Sequence, residues 1–314
     1  MRWLLKLAMI FALSQPTWVS ATEGALGRSI TGAQITSYVG IVPPSPGLQV
    51  SLSYVYYSGT VGGARQAPVG GLLAVDTKAT ANLYAAALIY VWNTGQGRWN
   101  FASMFTLPYM TTDATADVAF AGRAVRTTDS SSALYDLYFA PVIASYHVSE
   151  VEHWSFGVYV YAPTADFQKG KLANDGLNVW TTSPAVGYTH LFQQGTFEFS
   201  ALAGIDIYSR NNATDYQNGS VFRLDALVMK RLPNGWGFGV DGGWIYQLQD
   251  DSGPTARLLN GFKGHALAVG PAIEYAKTWD KDKTLSFNLR WMKEFDVTNR
   301  VKGDPLVLVV NIPM

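Results

Sequence analysis

Between Phe197 and Ile207 every odd position is apolar, while the even positions include Glu198, Ser200, Gly204 and Asp206. Successive residues of a β-strand point to opposite faces, so this stretch reads as a strand with one greasy and one largely polar face. The pattern recurs. Phe222, Leu224, Ala226 and Val228 alternate with Arg223 and Asp225, and Leu285, Phe287, Leu289 and Trp291 alternate with Ser286, Asn288 and Arg290. Near the front, Leu48, Val50, Leu52, Tyr54 and Tyr56 alternate with Gln49, Ser51 and Ser53. A soluble β-sandwich gives the same period, so alternation alone leaves two architectures open.

Connection lengths separate them. The pattern predicts twelve strands near 47–57, 81–92, 99–109, 134–148, 154–163, 179–192, 196–208, 221–231, 236–247, 263–277, 284–295 and 305–314. Long connections (58–80, 110–133, 164–178, 209–220, 248–262 and 296–304) alternate with short ones (93–98, 149–153, 193–195, 232–235 and 278–283). Turn formers such as Asn93-Thr94-Gly95 and Pro233-Asn234-Gly235 fill the short ones. Outer-membrane barrels have an even strand number, short periplasmic turns and longer external loops. Trp92, Trp99, Trp154, Phe197 and Trp236 all flank the short turns, as an interfacial girdle would. The expected fold is an all-β, transmembrane, antiparallel up-and-down β-barrel of about twelve strands in the bacterial outer membrane.

The chain divides into three parts on this reading. Residues 1–21 have the form of a secretory signal peptide: Arg2 and Lys6 flank the apolar run Leu7–Leu13, and Val19-Ser20-Ala21 supplies small residues for cleavage. Residues 22–46 form no strand and end in Pro43-Pro44-Ser45-Pro46. They either hang in the periplasm or fold back into the lumen as a partial plug, and the second is the expectation adopted. Residues 47–314 are the barrel.

Composition narrows the function classes. Cysteine is absent, which removes disulfides and thiolate metal sites. Arg2 and Lys6 account for two of the 23 basic residues, so 21 face 23 acidic ones beyond the leader. That balance argues against nucleic-acid binding. Charged residues make up 15% of the chain, well under the roughly 25% of ordinary soluble domains. The surroundings expected are outer-membrane lipid and lipopolysaccharide.

Placing the greasy face against lipid turns Asp136, Glu198, Asp206, Arg223, Asp225, Asp241, Glu274, Arg290 and Glu294 inward. Arg or Lys facing lipid at the midplane costs roughly 2–4 kcal/mol, which enforces that sidedness for Arg223 and Arg290. Asp206 is expected opposite Arg223. These charges form either a selective constriction or lumen-filling ion pairs that stiffen the wall, and the second reading is preferred. Gly237, Gly239 and Gly243 leave room on the inward face of one strand.

Other chemistry is weakly signalled. His153-Trp154-Ser155 puts a His and a Ser on one strand face, but no Gly-x-Ser-x-Gly elbow and no orienting acid accompany them. No catalytic residue, metal or cofactor is assigned. Asp250-Asp251 reads as solvated loop acid, with calcium bridging the alternative.

The run Tyr135-Asp136-Leu137-Tyr138-Phe139-Ala140-Pro141 is followed by Tyr161-Ala162-Pro163-Thr164-Ala165-Asp166-Phe167, then by Asn174-Asp175-Gly176-Leu177-Asn178-Val179-Trp180 and Thr181-Thr182-Ser183-Pro184. This succession, with Glu23-Gly24 and Pro43-Pro44 before it, resembles the outer-membrane channel family named for the meta-pathway of phenol degradation. Pro141, Pro163, Asn174, Gly176, Asn178, Trp180 and Pro184 carry the resemblance, while Ala165 and Phe167 stand where the family favours Gly and Tyr. The resemblance implies a monomeric twelve-stranded barrel for diffusive uptake of small, hydrophobic or aromatic molecules. Two alternatives stay open: a closed structural or adhesive barrel, and an outer-membrane lipid hydrolase.

Overall fold

The computed structural model describes residues 27–95, 97–120, 123–280 and 283–314, so the leader 1–21 and residues 22–26 lie outside the described residues. The barrel strands are β1 (Gly47–Val69), β2 (Leu72–Val91), β3 (Trp99–Phe120), β4 (Arg123–Leu134, continued by Leu137–His147), β5 (Glu152–Ala162), β6 (Thr181–Phe192), β7 (Phe197–Tyr208), β8 (Val221–Arg231), β9 (Trp236–Gln247), β10 (His265–Asp280), β11 (Lys283–Trp291, continued by Lys293–Thr298) and β12 (Leu306–Pro313). Each pairs antiparallel with its neighbours in sequence. β12 returns to β1 in the register Gln49↔Pro313 to Tyr56↔Leu306, which closes the sheet.

The alternation seen in the sequence sets the two faces. In β9, Val240 is 53% exposed while Asp241 beside it is 0% exposed. The outer surface carries Leu52, Phe105, Phe156, Val228, Phe238, Ile273 and Leu289, an apolar band suited to lipid. Trp99, Trp154 and Trp236 are exposed at the ends bearing the short turns.

Two of the expected long loops are strand instead. β1, β2 and β3 run for 23, 20 and 22 residues, about twice the 9–11 that cross a bilayer. Residues 58–80 form one protruding hairpin, closed by Gly70 (φ +57°) and Gly71 (φ +83°), and 110–133 form most of a second. A two-residue turn needing positive φ at both positions is the natural hairpin closure for Gly-Gly. The sequence hid these extensions because no lipid touches them: Thr, Ala, Asp and Ser stand where a greasy face would otherwise announce the strand.

The inner side of the tall wall is covered by the external loops. Tyr57, Val61, Val69, Ala74 and Ala116 pack with Leu172, Phe262 and Val301. The Gly170 amide donates to the Gly70 carbonyl (2.8 Å), and Leu172 and Ala173 both donate to Asp129 (3.1 Å each).

β4 breaks at Tyr135–Asp136, where the sequence suggested an unbroken strand. Further along β4, the register slips on both sides around Pro141, between Phe139 and Ile143 against β5 and between Ala102 and Met104 against β3. Proline lacks the N–H that a ladder needs, so a bulge is where a central strand can hold it.

Candidate functional site: the barrel lumen

Residues 27–46 run through the inside of the barrel, hydrogen-bonded to the wall along their length. Arg28 sits outermost: its guanidinium meets Asp136 at 2.7 Å, both side chains 0% exposed, and donates to the Val179 carbonyl at 2.9 Å and the Tyr135 hydroxyl at 3.0 Å. Ser29 donates to Asp206 (2.5 Å) and Thr31 to Glu294 (2.7 Å). The Gly32 and Gln34 amides donate to the two oxygens of Asp225 (3.0 and 3.1 Å). Arg290 donates to the Gly32 and Ile35 carbonyls (2.8 and 2.5 Å). Ser37 donates to Glu274 (2.5 Å), the Tyr38 amide to Glu198 (2.6 Å), and the Gly40 amide to Thr189 (2.9 Å).

Of the nine inward charges named from the sequence, seven thus bond the segment directly. The other two brace two of those seven: Arg223 pairs with Asp206 (3.4 Å) and Asp241 with Arg290 (3.4 Å). A buried carboxylate or guanidinium is tolerable only when paired and hydrogen-bonded. The segment supplies the partners.

The pairing of Asp206 and Arg223 differs in register from the expectation. Asp206 faces Val221 and Arg223 faces Gly204, so the ion pair is diagonal. The small hairpin Arg210–Asn211 with Tyr216–Gln217 takes up part of the loop and shifts the count. Of the three inward-facing glycines named in β9, Gly243 lies against Thr31 and Gly32, whereas Gly237 and Gly239 face Met229 and the β8 backbone.

Several residues at this centre escaped the sequence reading. Arg231 meets Glu198 (2.5 Å) and Glu274 (3.0 Å) and lies 4.3 Å over the Tyr38 ring. Arg300 donates to the Ser29 carbonyl (2.7 Å). Arg28 itself had a visible signal: it is the one basic residue between 22 and 46.

Asp136 joins the segment to an external loop. Besides Arg28 it accepts the amides of Ala165 and Leu177 (3.1 Å each). A Cβ on Gly176 would lie 2.6 Å from its Oδ1. Gly176 therefore keeps its place by leaving room for the carboxylate. Asn178 holds φ +56° and donates to Asn211 (2.9 Å), and the Trp180 amide donates to Ser209 (3.0 Å).

Two cavities lie at the ends of the segment. The periplasmic vestibule, about 520 Å³, is mixed: Gln49, Ser51, Glu274, Asn288 and Asn311 line it with Thr36 to Tyr38, alongside Ile41, Val50, Ile89 and Val309. The external cavity, about 130 Å³, is walled by Tyr57, Met110, Tyr135, Leu172 and Leu177 and touches Gly27. Neither is lined by Arg223.

The remaining sequence candidates find other partners. Ser155 donates to the Val39 carbonyl (2.7 Å), while His153 Nδ1 faces His147 Nδ1 at 2.7 Å, so the hydroxyl is not held by the imidazole. Asp251 is not solvated loop acid: it is 1% exposed and accepts from Tyr216, from the Gly219 amide (2.7 Å) and from Gln247 (3.1 Å). Among the described residues, no group of three or more His, Asp or Glu is placed to hold a metal.

An apolar exterior, a closed ladder and a charged, filled interior define an outer-membrane β-barrel. The chain belongs to the family described as "Putative MetA-pathway of phenol degradation", whose model matches residues 59–308. A crystal structure of an outer membrane channel from Pseudomonas putida F1 superposes with a TM-score of 0.67 at 16% identity, covering 90% of this chain and 100% of that one. The β domain of a Bordetella autotransporter gives 0.49 at 10% identity over 86% and 100%, and a Pseudomonas aeruginosa FadL homologue 0.45 at 9% over 94% and 98%. No curated protein sequence matches.

Proposed function

We propose that the chain is a monomeric outer-membrane channel for diffusive uptake of small, hydrophobic or aromatic molecules, with residues 22–46 as its plug. The observation that carries this reading is the way the lumen is filled. Twelve strands enclose more space than wall side chains occupy, and here a separate stretch of chain takes that space. A filler held by hydrogen bonds and ion pairs can shift as a unit, whereas wall side chains are fixed to their strands. Membership of the family and the likeness to a Pseudomonas putida channel support the same direction.

A closed scaffold is the competing reading, favoured by the number of buried bonds that hold residues 28–40. Single-channel conductance in planar bilayers, with and without residues 22–46, decides between them. Small steady openings that enlarge severalfold on deletion are expected. Silence from both forms, with folding confirmed by the heat-dependent shift on gels, would reject the channel.

A further inference from the structure

Where residues 27–46 leave the lumen, three hydrogen bonds grip them. Ser155 donates to the Val39 carbonyl (2.7 Å), the Gly40 amide to Thr189 (2.9 Å) and Ser145 to the Gly40 carbonyl (2.8 Å). Beside this grip His147, the last residue of β4, is paired across the periplasmic turn with His153 of β5. Their rings meet edge to face, with Nδ1 2.7 Å from Nδ1. His147 also meets the backbone of Val42, and Val42 packs with Val91, Ala102 and Ile143.

Two ring nitrogens at that distance share one hydrogen, one donating and the other accepting. The outer nitrogens are engaged too. His147 Nε2 lies 2.6 Å from the Asn100 side-chain amide, and His153 Nε2 lies 3.3 Å from the Glu150 carbonyl. With the Asn100 NH2, which has no other partner, turned towards His147, both rings are neutral; with its oxygen there, the pair carries one charge. A second charge puts a hydrogen on both Nδ1 atoms, head-on, with like charges adjoining. The contact therefore survives none or one positive charge, and not two.

The surroundings leave this response to the pair. Residues 39–46 of the segment hold no titratable side chain. Arg98, before β3, points to the Tyr146 hydroxyl (3.4 Å). Glu150 lies in the turn, and Glu152 and His190 face one another across β5 and β6, one position away from the inward-facing His153 and Thr189. Deeper in the lumen, Glu198 and Glu274 bond Tyr38 and Ser37 and can also take up protons in acid.

We propose that the His147–His153 pair is a proton-operated catch on the periplasmic exit of the lumenal segment. It holds the segment around Val42 while it carries at most one charge, and lets go when periplasmic acid adds the second. The catch is closed above the histidine range and opens as pH falls below about 6, a small charge change that biases a packed element. The proposal rests on the plug reading for its effect on passage.

The test reads the segment and the passage separately. Thr36, exposed in the vestibule, is replaced by cysteine to carry a nitroxide, the chain having no other cysteine. Electron paramagnetic resonance follows the full-length folded protein in detergent from about pH 8 to about pH 5. The mobile fraction should rise severalfold below about pH 6 in the parent. It should stay within about twofold in His147→Asn and His153→Asn, whose amides lie near the Nδ1 position and do not titrate. Either variant that keeps its heat-dependent shift on gels suffices. A spectrum that ignores pH in the parent, or the same acid response without the histidines, which would assign it to Glu198 and Glu274, overturns the catch. Single-channel recordings are made in parallel. Conductance with pH-independent mobility would reject the catch and spare the channel; histidine-dependent mobility without conductance would support the catch and reject the channel.

Discussion

The two ends of the lumen differ in size and in how polar they are. The external end is small, apolar and roofed by loops, and below it a fully buried ion pair, Arg28 with Asp136, fastens the segment. The periplasmic end is about four times larger and lined by amides, hydroxyls and a Glu–Arg pair. At the external end a single contact ties segment, strand break and loop together. At the periplasmic end several contacts share the load, among them the ion pairs of Arg231 with Glu198 and Glu274. On the channel reading proposed above, the external latch is the point where passage would be governed, with the vestibule as its exit.

Breaking the latch gives the largest expected effect. Arg28→Ala leaves Asp136 buried with two amide donors and no counter-charge, a loss of about 3–5 kcal/mol when one partner of such a pair is removed. Single-channel recordings should then show larger or more frequent openings, and a protease should reach residues 28–40. Unchanged recordings with the segment still protected would mean the latch does not govern passage.

Arg223→Ala comes next. Arg223 is 3% exposed and lines neither cavity, and Asp206 keeps Ser29 and Ser183 as donors. The loss should be about 2–3 kcal/mol, seen as a lower unfolding temperature, with ion selectivity unchanged. A clear shift in selectivity would restore the constriction reading that the sequence alone left open.

Gly176→Ala sharpens the link between latch and loop. A methyl group there meets the Asp136 carboxylate, and overpacking of this kind costs about 1–3 kcal/mol. Limited proteolysis within 163–180 should speed up while the strands stay intact. Least affected is the vestibule: Ser37→Ala removes one hydrogen bond to Glu274, about 1 kcal/mol, and conductance should stay near that of the parent. A conductance change matching that of Arg28→Ala would erase the contrast between the two ends.

The barrel was legible because lipid writes its signature on every second residue of a crossing strand. Arg223 and Arg290 could be turned inward from their alternation with Leu224, Leu289 and Trp291 alone. What those charges meet was not legible in the same way. Period-two patterning specifies a face, but not the partner that arrives from a segment with no pattern of its own. The hairpins at 58–80 and 110–133 were missed for a related reason, since Thr111, Thr127 and Thr128 face water or loops rather than lipid. Arg231, at the very end of β8, belongs to a position where alternation is about to stop and so predicts little.

The contacts between segment and wall also span great lengths of chain. Gly32 meets Arg290 across 258 positions, and Thr31 meets Glu294 across 263. Those bonds cannot form until β11 exists, yet β1, directly after the segment, must pair with β12 to seal the cylinder. Bringing such distant parts together is entropically slow. Docking of the segment and closure of the ring both wait for the last strands, so the placement of residues 28–40 bears on assembly as well as on the finished interior.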